Sequence, residues 1–142
     1  MFSIINISKA ELKKSLALTL YSDPVVAGFP SPATDFMEGK LDLNEHLIQN
    51  PAATFFVKVT GDSMIGAGIH TDDLLIVDRS TPITHGRVII AVLDGELTVK
   101  RLERLNGQIR LIAENPNYPA IAVTDQQDFS IWGVVTNVIH PL

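Results

Sequence analysis

No cysteine occurs among the 142 residues, so the chain can form neither a disulfide nor a thiolate metal site. That absence fits a reducing, cytoplasmic setting. No apolar run approaches the roughly 18 residues of a membrane-spanning helix, so no membrane association is expected. Positive charge is also in short supply: 11 Lys and Arg stand against 16 Asp and Glu, for a formal net charge of −5. A free-standing affinity for nucleic-acid phosphates, and with it direct sequence-specific DNA binding, is therefore not expected. Internal repeats and low-complexity tracts are absent. What remains is a globular composition, 46% hydrophobic and 19% charged, with length for one compact domain.

The most informative stretch is Phe55-Phe56-Val57-Lys58-Val59-Thr60-Gly61-Asp62-Ser63-Met64. An alternating, β-prone run stops at Gly-Asp, and a serine follows. Such a break can place Ser63 at the edge of a sheet with neighbouring main-chain N–H groups unpaired. A nucleophile and an oxyanion hole can be built together at such a point. Taken alone, Gly61-Asp62-Ser63 reads first as a turn, with Asp62 or Ser63 capping a short helix.

The first 27 residues differ from the rest. Ser8-Lys9-Ala10-Glu11 matches a capping box, and Leu12, Leu16 and Leu20 follow at helical spacing, which predicts a short helix. An isolated helix of about a dozen residues is marginal in water, so this segment is expected to be a mobile arm and not a core element. It holds Lys9, Lys13 and Lys14 against Glu11 and Asp23, a net +1, which leaves −6 for residues 28–142.

Asp23-Pro24-Val25-Val26-Ala27-Gly28-Phe29-Pro30-Ser31-Pro32 follows, and its prolines exclude a helix and favour extended backbone. The small pair Ala27-Gly28 inside it suits a protease cleft, because the backbone can pair as a strand and nothing bulky shields the carbonyl. An ordinary linker is the other reading of the same residues. A secretory signal ending at Val25-Val26-Ala27 is rejected. The apolar stretch at 16–20 is too short for its hydrophobic region, and Glu11 sits where basic residues belong.

Residues 43–48 read as a short helix stopped by Asn50-Pro51. From Phe55 onward the pattern is all-β. Leu74-Leu75-Ile76-Val77 is a fully apolar strand, and segments 87–93, 96–102 and 108–113 are joined by Asp94-Gly95 and Asn106-Gly107, two strong hairpin signals. A last strand is expected over 129–139, with Gly133 marking a bulge. The expected fold is mostly β: curled antiparallel sheets in one compact domain, with the N-terminal arm outside it. His46, His70, His85 and His140 are scattered without metal-ligand spacing, so no metal site and no cofactor is expected.

Alternation along Glu96-Leu97-Thr98-Val99-Lys100-Arg101-Leu102 puts Thr98, Lys100 and Leu102 on one face. Lys100 is then either a solvated strand lysine or an amine partly shielded from water. Only the second could serve Ser63 as a general base. An ordinary lysine is neutral less than about 0.1% of the time at pH 7, and each unit by which its pKa is lowered costs about 1.4 kcal/mol.

With Ala27-Gly28, Gly61-Asp62-Ser63-Met64 and Thr98-Val99-Lys100-Arg101-Leu102 in view, the chain resembles the LexA/UmuD family of self-cleaving serine-lysine proteins of the bacterial DNA-damage response. Gly28-Phe29-Pro30-Ser31-Pro32-Ala33, Leu41-Asp42-Leu43-Asn44 and Asp73-Leu74-Leu75-Ile76-Val77-Asp78 carry the likeness further, from about residue 29 to about residue 138. The resemblance implies a LexA/signal-peptidase-like β-fold for residues 28–142 and self-cleavage between Ala27 and Gly28 that removes residues 1–27. It makes Ser63 the nucleophile, Lys100 the general base, and the main-chain N–H groups of Asp62 and Ser63 the oxyanion donors. It also implies cleavage promoted by a RecA–single-stranded-DNA filament, and a homodimer that joins a UmuC-type Y-family polymerase in error-prone translesion synthesis.

Three other readings compete. A LexA-type transcriptional regulator would need a helix-turn-helix domain ahead of the cleavage site, which 27 residues of net charge +1 do not supply. A signal peptidase shares the serine-lysine chemistry but needs a membrane anchor. A catalytically silent dimeric binding module would leave Ser63 and Lys100 incidental.

Overall fold

The computed structural model describes residues 3–10, 17–21 and 37–142. In chain order the strands are β1 (Ser3–Lys9), β2 (Ala17–Tyr21) and β3 (Met37–Asp42), then helix α1 (Leu43–Leu47). After it come β4 (Thr54–Thr60), β5 (Leu74–Asp78), β6 (Val88–Leu93), β7 (Glu96–Leu105), β8 (Gln108–Ile112), β9 (Ile121–Ala122) and β10 (Phe129–Ile139). Two units are formed. One is the antiparallel hairpin β2–β3 followed by α1, whose first turn is capped by the Asp42 carboxylate accepting from the Asn44 N–H at 2.9 Å.

The other unit is an eight-stranded sheet in the order β1-β4-β5-β10-β6-β7-β8-β9, antiparallel throughout. Its β6–β7–β8 portion is the meander read from the sequence. The connecting residues take the left-handed backbone that such hairpins need, with φ of 50° at Asp94, 82° at Gly95, 53° at Asn106 and 75° at Gly107. β10 is inserted between β5 and β6, and its register slips between Ile131 and Gly133. The glycine is required there for space as well as bend: a Cβ on Gly133 would stand 2.7 Å from Val77 Cγ1.

Both faces of the sheet carry apolar side chains. Val57, Val59, Met64, Ile69, Leu75, Val77, Ile90 and Val99 form one buried cluster, and Ile89, Ala91, Leu102, Leu111 and Val134 form another. Neighbours Ile89 and Ile90 therefore point to different clusters, which is why β6 reads as a continuous apolar run and not as an alternation. Each large aliphatic side chain so buried contributes about 1.5–3 kcal/mol.

The helix expected from the capping box does not form where it can be described. Ser8 and Lys9 lie in β1, and Leu20 lies in β2. The reason is non-local: β1 gains a ladder of hydrogen bonds along β4, from Ser3 opposite Thr60 to Lys9 opposite Phe55, and Ile7 packs against the first cluster. A short helix in water gains neither. The proline-rich segment with Ala27 and Gly28 lies outside the described residues.

Candidate active site

β4 ends where Gly61 takes φ of 108°, a left-handed backbone that turns the chain out of the ladder. The turn is held from within by Thr71, whose Oγ1 accepts from the Gly61 N–H at 3.0 Å and donates to the Gly61 carbonyl at 3.2 Å. Ser63 follows directly and is fully buried. Beyond it, Met64 anchors the loop in the core, and its carbonyl accepts from the Ala67 and Ile69 N–H groups. Among the described residues, the main-chain N–H groups of Asp62 and Ser63 donate to no protein acceptor.

Lys100 reaches Ser63 from β7. In register it stands opposite Ile89, and Thr98 opposite Ala91, so both share the face of the second apolar cluster. The lysine is 6% exposed, and its Nζ lies 3.1 Å from Ser63 Oγ, 3.2 Å from Thr98 Oγ1 and 3.1 Å from the Val99 carbonyl. Among the described residues no carboxylate pairs with it. Burial pushes the amine below the ordinary lysine pKa, with no compensating charge. A neutral amine at hydrogen-bond distance from a hydroxyl can take its proton, which is the elementary requirement of an activated serine.

The loop after β8 braces the serine turn from outside, and sequence reasoning missed this. Buried Asn115 donates from Nδ2 to the Asp62 carbonyl at 2.9 Å, and the Tyr118 hydroxyl hydrogen-bonds the Asp62 carboxylate. The hydrogen bond to Asp62 raises the Tyr118 phenol above its usual pKa. Gly66 donates to the Glu114 carbonyl at 2.7 Å, and a Cβ at Gly66 would fall 2.7 Å from that oxygen. Glu114 in turn pairs with Arg101, the neighbour of Lys100. In the sequence this loop showed only its prolines, with nothing to say which residues its polar side chains meet.

The structure thus brings Ser63, Lys100 and the Asp62–Ser63 backbone together, while Ala27 and Gly28 lie outside the described residues. The family described as Peptidase S24-like matches residues 19–136. The chain belongs to the S24 peptidase-like family. It is similar to Protein SamA of Salmonella typhimurium, 47% identical over 121 residues that make up 85% of this chain and 84% of that one. Protein ImpA of Escherichia coli is 46% identical, over 85% of this chain and 82% of its own. The LexA repressor of Dechloromonas aromatica is 44% identical over 91% of this chain, which spans 64% of the repressor. The resemblance to the LexA/UmuD family read from the motifs therefore stands, and with it a mostly β S24 fold and the class of self-cleaving serine peptidase. No helix among the described residues is long and apolar enough to cross a membrane.

Proposed function

We propose that this S24-family chain cleaves its own Ala27-Gly28 bond, using Ser63 as nucleophile and Lys100 as general base. The observation that carries the reading is the 3.1 Å contact of a buried, carboxylate-free lysine with a buried serine hydroxyl. Neutral Lys100 takes the Ser63 hydroxyl proton as Oγ bonds to the Ala27 carbonyl carbon. The resulting oxyanion is held by the Asp62 and Ser63 N–H groups. The Ala27–Gly28 C–N bond then breaks, and the leaving Gly28 amine takes its proton from Lys100. Water attacks the acyl ester, passes a proton through Lys100 to Ser63 Oγ, and frees the Ala27 carboxylate. Residues 1–27 separate from residues 28–142 as the two products.

In the wider reading, the shortened chain serves as a homodimeric accessory subunit of a UmuC-type translesion polymerase, and a RecA–single-stranded-DNA filament promotes the cut. The S24 family match and the UmuD-like relatives support the association with a polymerase, while the homodimer and the filament rest on the family resemblance alone. Intact-mass spectrometry tests the chemistry. Protein held near pH 10 loses residues 1–27, whereas Ser63→Ala and Lys100→Ala stay whole. A cut at another bond, or normal cutting by Ser63→Ala, overturns the proposal. Mixing a Ser63→Ala chain with an Ala27→Asp chain decides whether the serine acts on its own arm or a neighbour's, since only the second route cuts the first chain. Co-purification of residues 28–142 with a Y-family polymerase, with the full chain as comparison, tests the partner.

A further inference from the structure

We propose that His70, Asp73 and His140 form a binding site for one divalent transition-metal ion of the zinc class. The residues are far apart in sequence and show no ligand spacing. β5 and β10 bring them together. Ile139 at the end of β10 pairs with Leu74 at the start of β5, so His140 and Asp73, one residue beyond each, meet at the same corner. His70 closes the group from the loop ahead of β5, and its ring stacks on that of His140 at 4.6 Å with 34° between planes.

The chemistry of the trio fits a borderline metal. Two imidazoles and one carboxylate suit zinc, copper or nickel, whereas calcium and magnesium prefer all-oxygen sites. The Asp73 side chain is fully buried, while those of His70 and His140 are 47% and 41% exposed. An ion would therefore rest on a fixed carboxylate and remain open to water on its outer side. The carboxylate is already oriented by the His70 main-chain N–H, which donates to Oδ2 at 2.7 Å, the kind of supporting hydrogen bond that ligating carboxylates have.

One potential ligand atom from each residue lies within 4.8 Å of the others. His140 Nδ1 is 2.5 Å from Asp73 Oδ1, and His70 Nδ1 is 3.8 Å from Oδ2. Ligand atoms sharing a tetrahedral zinc stand about 3.3 Å apart, given metal–ligand bonds near 2.0–2.1 Å. His140 must therefore swing away from Oδ1, and the widest of the three pairs, within 4.8 Å, must close by up to about 1.5 Å. Both rings are half-exposed, and the move exchanges the His140–Asp73 hydrogen bond for metal ligation. Such an ion would tie the segment after β10 to the far end of the loop that begins at Ser63. The inference does not rest on the proposed proteolysis.

The test uses the untagged, full-length Ser63→Ala chain, which removes self-cutting from the measurement. Cobalt(II) is titrated as a spectroscopic probe, and zinc is then added to displace it. The expected result is one cobalt per chain with visible ligand-field bands, lost on addition of one equivalent of zinc. His70→Ala and His140→Ala each weaken binding by at least about tenfold. His46→Ala leaves it unchanged. Zinc in excess also raises the melting temperature of the parent chain and not of the double His variant, as mass action requires. Cobalt or zinc binding that survives in the double variant places the ion elsewhere and overturns the proposal. No binding above that of the double variant also overturns it, leaving the trio a hydrogen-bonded cluster only.

Discussion

Replacing Lys100 by methionine separates what the amine does for chemistry from what it costs the fold. The side chain is 6% exposed, faces Ile89 in register, and has hydroxyl and carbonyl partners but no counter-ion. Its pKa in the folded protein therefore lies below the 10.5 of an exposed lysine. Between those two values the unfolded chain binds a proton that the folded chain does not. Stability consequently rises with pH through that window, by at most about 1.4 kcal/mol per unit for one proton, and the contribution flattens above 10.5. Lys100→Met, made on a Ser63→Ala background so that neither chain cuts itself, removes this dependence. Urea unfolding from pH 7 to 11 should show the methionine variant ahead at neutral pH and its lead shrinking as pH rises. The cleavage rate of the native chain should climb about tenfold per unit over the same range and level off before 10.5. A stability difference that ignores pH, or a rate still climbing past 10.5, would refute the assignment of Lys100 as a desolvated base.

Other substitutions probe the support of the serine turn. Asn115→Ala removes the Nδ2 bond to the Asp62 carbonyl; it should slow self-cleavage at pH 10 while leaving circular dichroism unchanged, and an unaltered rate would remove Asn115 from the positioning role. Gly66→Ala sets a methyl 2.7 Å from the Glu114 carbonyl and should destabilise by about 1–3 kcal/mol in urea unfolding. Met64→Ala empties a fully buried position beside Ser63, and the expected loss is about 2–5 kcal/mol by the same measurement.

Legibility in the sequence followed the range of the interaction. The β6–β7–β8 meander was legible because Asp94-Gly95 and Asn106-Gly107 specify their own turns. Thr98 and Lys100 shared a face because strand alternation is local and strict. The insertion of β10 between β5 and β6 was not legible, since nothing in 129–139 names its neighbours. The same limit hid the Asn115 brace, 53 positions from its acceptor, and the meeting of Asp73 with His140, 67 positions away. At the N-terminus local signals gave no sign of β1, and the residues that would form the body of the helix, 11–16, lie outside the described residues. A capping box and spaced leucines favour a helix, but the free edge of β4 offers β1 a full set of backbone partners. The LexA/UmuD resemblance supplied what spacing could not, namely a reason to connect Ser63 with Lys100 and with Ala27-Gly28.

The place of β1 also changes what a cut at Ala27-Gly28 accomplishes. Hydrolysis there severs the tether, but the hydrogen bonds between β1 and β4 are untouched by it. Before the cut, β1 and β4 belong to one chain, and that covalent linkage raises the effective concentration of one strand for the other. Afterwards the same strand is a separate peptide, and its occupancy of the β4 edge falls with dilution. On the proposed cut, cleavage would be a licence to dissociate, and the moment at which β4 becomes available to another strand would be set by the off-rate of a peptide held to β4 through β1 and to β3 through β2, not by the peptidase.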